Sequence, residues 1–549
     1  KIRKVKCDET RPACRRCIIA GRTCDEYGIW ASRDRSTTPF LSQQESFISL
    51  RNIRTSTIGL TDAEKRLFEW VSRRAIAKLA GVLDSSFWET IVLQTSSSEP
   101  AVMHAVLALS SVHKNQMTNT GSAPDQRPSC LDFQERCTLQ HYNKSIVLQK
   151  RLTRDDPESV HVALICCILY ICLEYMRKRF KAGHSHLSHG LKLLGPINNP
   201  GLKRGNRLDD IRSNIAPDSV ARCLLDTFSH FLNQARSLKG PLGEERQSDE
   251  PRPSRQLPCS FESLIEARSH LDELLARAQK LRRCILAFAS SSDVSHAFEM
   301  LVVQSCLRND LVSWSRVYDS FKARRWTHLS ARERLAFHLL PVYHTMAQII
   351  TEASLHPDGE LIFDKFTWHF ETMTASSKEI LTAALPTMAA DLSSGHCTAK
   401  FSFTADMGLI PPLYYVALKC RNRRIRRQAI ELITDNLHQE GMWDAKLAAA
   451  VASEVMRMEE EAYYQKSPST VQSLGAKSTV GDQPDLPVLP KDCRLLNVRL
   501  QLPDDSTGEL SFSGTRRRLD STLESFKKLY DLKARTWKVL EEAGGNGSN

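Results

Sequence analysis

Twelve consecutive apolar residues, Val162 to Leu173 (VALICCILYICL), constrain the fold of this chain more than any other segment. A helical run with no polar face has to be covered on every side. A membrane span takes about 20 such residues. This run is shorter, and Glu174 and Arg177 follow it directly. It reads as a fully buried core helix, with Asp156 and Pro157 supplying an N-cap and a first-turn proline ahead of it. Cys166, Cys167 and Cys172 sit inside it as small hydrophobes.

The chain around this run, from about 59 to 465, reads as helix after helix. Thr61 to Glu64 (TDAE) is a capping-box pattern ahead of Leu67, Trp70, Val71 and Leu79, and Ser86 to Glu89 (SFWE) repeats it. Pro100 stands at another first turn. Three stretches, 114–128, 196–218 and 237–260, are rich in Pro, Ser, Gly and charge and read as disordered loops. Residues 26–58 and 466–490 read as linkers. Within 491–549, RLLNVRLQL and ELSFSG flank PDDSTG and predict a small β-hairpin. STLESFKKLYDLKARTWKVLEEA then predicts a closing amphipathic helix. The fold class is mostly α: a small N-terminal module (1–25), a linker, and a large all-helical domain with a small β-hairpin near the C-terminus.

The N-terminal module is built differently. Its sequence, KIRKVKCDETRPACRRCIIAGRTC, carries Cys14 and Cys17 as a C-x2-C pair, with Cys7 and Cys24 six residues outside it on either side. So short a segment cannot fold on a hydrophobic core, and clustered thiols in it point to zinc. The same 24 residues hold eight Lys or Arg against two Asp or Glu, half of the net +12 of the whole chain. A cationic patch this local is a footprint for the phosphate backbone of double-stranded DNA.

In its cysteine spacing, its Pro12 and its basic residues this segment resembles the fungal Zn2Cys6 binuclear zinc-cluster DNA-binding domain, whose pattern is C-x2-C-x6-C, a loop, then C-x2-C-x6-C. Cys7 falls on the third cysteine, Cys14 and Cys17 on the next pair, and Cys24 on the sixth. The resemblance implies that the first two cysteines belong upstream of Lys1, so that the extreme N-terminus is missing here. It implies Zn2+ as cofactor, two ions per complete cluster, with Cys14 as a bridging thiolate. The four cysteines present close neither tetrahedral site by themselves. It further implies that Lys1 to Lys6 form a short helix entering the major groove. Arg3 and Lys4 would then face the O6 and N7 acceptors of guanine in CGG-type triplets, and Lys6, Arg15, Arg16 and Arg22 would hold phosphates.

The helical region carries a second resemblance. DSSFWETIVLQTSSSEPAVMHAVLALSSVH, LQHYNKSIVLQKRL, SHLSHGLKLLG, PPLYYVALKCRNRRIRRQAIELI and EGMWDAKLAAAVASEVMRMEEE are similar, in order, to segments of the fungal-specific transcription factor domain, an all-helical regulatory module. Together the two resemblances imply a nuclear, zinc-dependent, sequence-specific DNA-binding factor that regulates RNA polymerase II transcription with the transcription machinery as partner. The rival reading is a DNA-blind helical interaction protein with a vestigial cluster. The linker shows no heptads, which leaves binding as a monomer or as a homodimer through the helical domain both open.

Other patterns are weaker. His184, His186 and His189 (HSHLSH) suggest a metal, but no carboxylate or thiol is near them in sequence, and polar helix positions with His186 partly packed are the plainer reading. The run Arg421, Arg423, Arg424, Arg426 and Arg427 suits phosphate or an import receptor. Its plainer reading is a solvated helical start pairing with carboxylates elsewhere. Phosphate-loop, G-x-S-x-G and H-E-x-x-H patterns are lacking, so the chain does not read as an enzyme. No secretory signal or membrane span is expected, and the scattered cysteines read as reduced.

Overall fold

The computed structural model describes residues 59–83, 87–118, 128–151, 156–194, 220–239, 257–288, 294–356, 359–393, 402–435, 438–466, 489–503, 508–517, 522–532 and 534–540. The chain divides into two units, Lys1–Arg51 and Asn52–Asn549, and all of these residues belong to the second.

Helix α1 (Asp62–Trp70) opens on the expected capping box: the Glu64 N–H donates to the Thr61 hydroxyl, and the Thr61 N–H donates to the Glu64 carboxylate at 2.8 Å. It winds through a π-helical stretch, Val71–Ala75, into α2 (Ile76–Leu79). A second π-helical stretch, Phe87–Val92, leads into α3 (Leu93–Ser98). The SFWE signal at Ser86 lies outside the described residues. Then follow α4 (Pro100–Thr118), α5 (Pro128–Gln149), α6 (Pro157–Met176), α7 (Phe180–Leu194) and α8 (Val220–Lys239).

The apolar run is α6. Asp156 caps it by accepting the Ser159 N–H at 2.8 Å. Every residue from Leu164 to Met176 is buried, against α4, α7 and α8. It is long and apolar enough to cross a membrane, yet its sides are covered by other helices. Two glycines of α7 permit the close approach. A Cβ on Gly183 would meet the Tyr175 ring at 2.4 Å, and one on Gly190 would meet the Phe228 ring at 2.1 Å.

Helices extend into two of the stretches read as loops. α4 runs on to Thr118 because Met117 is buried and Gln116 donates to the Met176 carbonyl at 2.6 Å. α8 runs on to Lys239, where Ser237 accepts from Gln279 at 2.8 Å. The stretch 196–218 and the linker 26–58 lie outside the described residues, as does most of 466–490.

A second group of helices follows: α9 (Leu264–Phe288), α10 (Val294–Arg325) and α11 (Ala331–Ala353) meet at Trp314, and α12 (Thr367–Ser393) packs against α11. That indole stacks on Tyr318 and His344, with ring centroids 4.6 and 5.1 Å away, and its N–H donates to the Ala267 carbonyl at 2.9 Å. Three chain segments are thereby fixed to one side chain.

The next elements are β1 (Ser402–Thr404), α13 (Ile410–Lys419), α14 (Arg423–Asp435), β2 (His438–Glu440), β3 (Trp443–Asp444) and α15 (Ala445–Lys466). β1 and β2 are parallel, and β2 and β3 antiparallel, in a small sheet that the sequence did not announce. The buried Glu440 carboxylate accepts the N–H groups of Gly408, Leu409 and Ile410 at 2.8 to 3.0 Å. An anion thus caps the N-terminus of α13, where orphan donors and the helix dipole favour it.

The C-terminal region corrects the sequence reading. β4 (Leu495–Gln501) and β5 (Glu509–Arg517) pair as the expected hairpin, but the predicted closing helix is two more strands, β6 (Leu523–Asp531) and β7 (Thr536–Leu540). The four form one antiparallel sheet in chain order. The strand period was hidden by Lys528. Phe526, Lys528 and Tyr530 share one face of β6, opposite Gly514, Phe512 and Leu510. The inward lysine is neutralised by Glu454 of α15 at 2.6 Å. Aromatic pairs then bind the strands together, with Phe512–Phe526 at 5.3 Å and Tyr530–Trp537 at 4.8 Å.

Candidate functional site

The residues assigned to metal and DNA, namely Arg3, Lys4, Lys6, Cys7, Cys14, Arg15, Arg16, Cys17, Arg22 and Cys24, lie outside the described residues, as does the expected recognition helix. The helical unit contributes two connected features instead: a buried ionic hub and a cavity beside it.

The hub is built on the arginine run. Arg421 donates to Glu360 at 2.8 Å and lies 3.4 Å from Glu459. Arg426 donates to Glu459 at 2.7 Å and to the Ala417 carbonyl at 2.9 Å. Arg423 pairs with Glu460, and Arg424 with Glu371. Arg494, just ahead of β4, donates to the Glu360 carbonyl and to Asp364. The run pairs with carboxylates elsewhere, as its plainer reading had it, but is only partly solvated. Arg421 and Arg426 are buried, and Arg427 stays exposed. Burial by itself would raise the Glu360 carboxyl, but Lys419, Arg421 and Arg282 hold it below its ordinary value. Lys419 itself is pushed down by burial, drawn up by Glu360, and pushed down again by Arg282 and Arg421.

Next to the hub, between α8, α9, α11, α13, β3 and β4, lies a cavity of about 140 Å3. Arg236, Arg282, Arg283 and Lys419 line it, and no carboxylate does. The rest of the wall is largely apolar and aromatic, including Tyr414 and Trp443, whose rings meet edge to face at 5.2 Å. Two buried polar atoms of lining residues, Trp443 Nε1 and Gln279 Oε1, have no hydrogen-bond partner among the described residues. Sequence reasoning missed this site because its cations come from helices that only the fold brings together.

The histidines of HSHLSH do not converge on a metal. His186 is hydrogen-bonded to the Tyr142 hydroxyl at 2.7 Å, while His189 is exposed. Elsewhere, Glu64, His104 and His141 come within ligand range of one another. The two imidazoles stack and share a hydrogen bond, Nδ1 to Nδ1, at 3.1 Å. Burial holds both neutral, His104 at about 4, so one can donate to the other. Glu64 is already engaged in capping α1.

Comparison with known proteins supplies the context. Residues 1–33 match the fungal Zn(2)-Cys(6) binuclear cluster domain, and residues 74–231 match the fungal specific transcription factor domain. A thiol-rich cationic head joined to a helical regulatory body defines a zinc-cluster transcription regulator, a class without enzymatic activity. Over these two stretches the chain is similar to the fungal zinc-cluster transcription factors. It is 21% identical, over 84% of its own length and 86% of the relative's, to the aspercryptin biosynthesis cluster-specific transcription regulator atnN of Emericella nidulans. It is 28% identical, over 42% of its length and 54% of the relative's, to the transcription regulator lscL of Purpureocillium lilacinum. No solved structure matches the chain.

The donor set fits zinc in kind. Cys7, Cys14, Cys17 and Cys24, all within the matched residues 1–33, are thiols, the soft ligand type that zinc prefers.

Proposed function

We propose that this transcription factor reads CGG-type triplets in the major groove through a zinc-stiffened head and regulates RNA polymerase II transcription in the nucleus. Cys7, Cys14, Cys17 and Cys24 hold the metal, two ions in the six-cysteine cluster. Arg3 and Lys4 meet guanine edges, where cationic donors pair with O6 and N7. Lys6, Arg15, Arg16 and Arg22 hold phosphates and set the register without reading sequence. The observation that carries this reading is the concentration of half the chain's net charge into the 24 residues that bear the four spaced thiols.

The test is a binding-site selection on the protein extended to the six-cysteine pattern. Enrichment of CGG-like triplets and a steep loss of affinity with salt are expected. Lys4→Ala should erode preference for the selected site more than it weakens random DNA. Equal weakening of both would remove Lys4 from base reading. Failure to retain any duplex would favour the DNA-blind reading.

A further inference from the structure

We propose that the cavity beside the ionic hub binds a small organic anion with one flat apolar ring, a monocyclic aromatic carboxylate in class. Three features of the wall lead to this. The first is charge. Four cations line the cavity and no acid does. Of these, Lys419 is paired with Glu360 at 2.7 Å. Arg282 makes a long contact to the Ala353 carbonyl, 3.4 Å, lies 5.8 Å from the Phe363 ring, and acts on Glu360 through space without a hydrogen bond to it. Arg283 makes no hydrogen bond or ion pair with any described residue. Two half-buried guanidiniums thus stand at the wall without a hydrogen-bonded carboxylate, where an incoming anion gains charge-assisted, bidentate hydrogen bonds.

The second feature is the apolar remainder. Met346, Ile350, Leu418, Val498 and Leu500 share the wall with Tyr414 and Trp443. Inorganic phosphate would satisfy the arginines but leave this surface uncovered and would itself have to shed water. A neutral ring would cover the surface but leave the cations without a counter-charge. Only a molecule with both parts uses the whole wall, as small-molecule sites do when a few polar groups orient a mostly apolar contact.

The third feature is size. A cavity of about 140 Å3 is close to the ~150 Å3 that accommodates a benzene ring. The occupant is therefore a single ring with a short acidic arm.

The cavity also joins parts that are distant in sequence. Arg236 comes from α8, Arg282 and Arg283 from α9, Lys419 from α13, and Val498 from β4. A ligand that touches all four clamps the C-terminal sheet onto the helices. Binding stabilises whatever conformation it prefers, by mass action. The site is tested without DNA, so its failure and the failure of the proposed DNA reading are distinguishable.

Benzoate is the probe, with benzamide and inorganic phosphate as controls, on the full chain. Benzoate is expected to raise the unfolding temperature saturably and to slow amide exchange in β4, while benzamide and phosphate at equal concentration do neither. Arg283→Met and Arg282→Met should each weaken benzoate about tenfold, the scale of one lost charge-assisted contact, and Arg283→Met should leave the unliganded protein's unfolding temperature unchanged. Three results would overturn the assignment: no saturable benzoate effect at millimolar concentration, equal effects of benzoate and either control, or parental affinity in both arginine variants.

Discussion

Arg426 and Glu459 form a fully buried ion pair, Nη1 to Oε2 at 2.7 Å, at the centre of the ionic hub. The second oxygen of Glu459 accepts the Leu495 N–H at 2.8 Å, so the pair also fixes the first residue of β4. Arg426 in turn donates to the Ala417 carbonyl near the end of α13. Removing one partner strands the other charge out of water, which costs about 3–5 kcal/mol. Arg426→Met should lower stability by that much in urea unfolding. Glu459→Gln keeps an acceptor for Leu495 and should cost less. The double replacement Arg426→Met with Glu459→Met should recover part of the loss of the first. A midpoint unchanged in Arg426→Met would mean that the pair does not hold these elements together.

The turn between β2 and β3 depends on Gly441. Its φ is +55°, in the left-handed region, and a Cβ there would lie 1.8 Å from Gln234 Oε1. Gln234 is buried and donates to the Ala405 carbonyl at 2.9 Å, so it has little room to withdraw. Gly441→Ala should therefore cost roughly 1–3 kcal/mol from backbone strain and add the disturbance of Gln234. If the clash is the larger part, Gln234→Ala and Gly441→Ala will combine to less than the sum of their separate effects. Strict additivity would assign the cost to backbone strain alone.

Parts of this architecture were legible because their signals are local. The Val162–Leu173 run needs no partner to declare itself a buried helix, and the Thr61 and Asp156 caps are set by residues three positions apart. The strands β4 and β5 show their alternation directly. What failed was non-local. The run from Leu523 to Leu540 read as a helix because Lys528 breaks the apolar alternation, and only Glu454, 74 residues earlier, makes that lysine tolerable inside. The arginine run read as pairing with carboxylates elsewhere, but the burial of Arg421 and Arg426 was missed because the partners Glu360 and Glu459 stand 61 and 33 residues away. The strands β1, β2 and β3 are two or three residues long and carry no periodicity at all. The clustered thiols and the cationic head were read from spacing and charge, which act over a few residues, and the roles of single residues there from the family resemblance, whereas the cavity's cations acquire meaning only when α8, α9 and α13 meet.

Acid should weaken the helical unit through its buried histidines. The Trp70 indole N–H donates to His113 Nδ1 at 3.2 Å, so that nitrogen carries no proton of its own. Protonation would aim a second N–H at the indole, in a place already flanked by Arg74 and Lys114 over the Trp70 ring. Burial, with Lys78 adding to it, pushes the His113 pKa down to about 4. The neutral form is thus favoured in the folded state, while the unfolded side chain titrates near 6.5. The resulting stability is fully present above about pH 6.5 and is lost as pH falls from there toward 4, on the order of 3 kcal/mol in all. His104 and His186, also held near 4, act in the same window. His113→Gln keeps an acceptor for Trp70 without a titration. Its stability should fall less than the parent's between pH 7 and pH 5 in urea unfolding. Parallel losses would exclude His113 as a source of the acid sensitivity.

Metal removal should separate the two units. Zinc in a segment too small for a core is itself the folding energy of that segment, whereas the helical unit rests on α6, Trp314 and the ionic hub. Dialysis of the six-cysteine protein against a chelator is expected to abolish retention of specific duplex DNA while leaving the helical unit's unfolding temperature in place. Restoring zinc should restore DNA binding. Cys14 falls on a bridging position of the cluster pattern, so under the proposed function it would serve both ions, whereas Cys24 would serve one. Cys14→Ser should therefore lower bound zinc, measured by elemental analysis per chain, more than Cys24→Ser does. Equal zinc content in the two variants would remove the bridging role from Cys14. DNA binding that survives chelation would take zinc out of the recognition mechanism altogether.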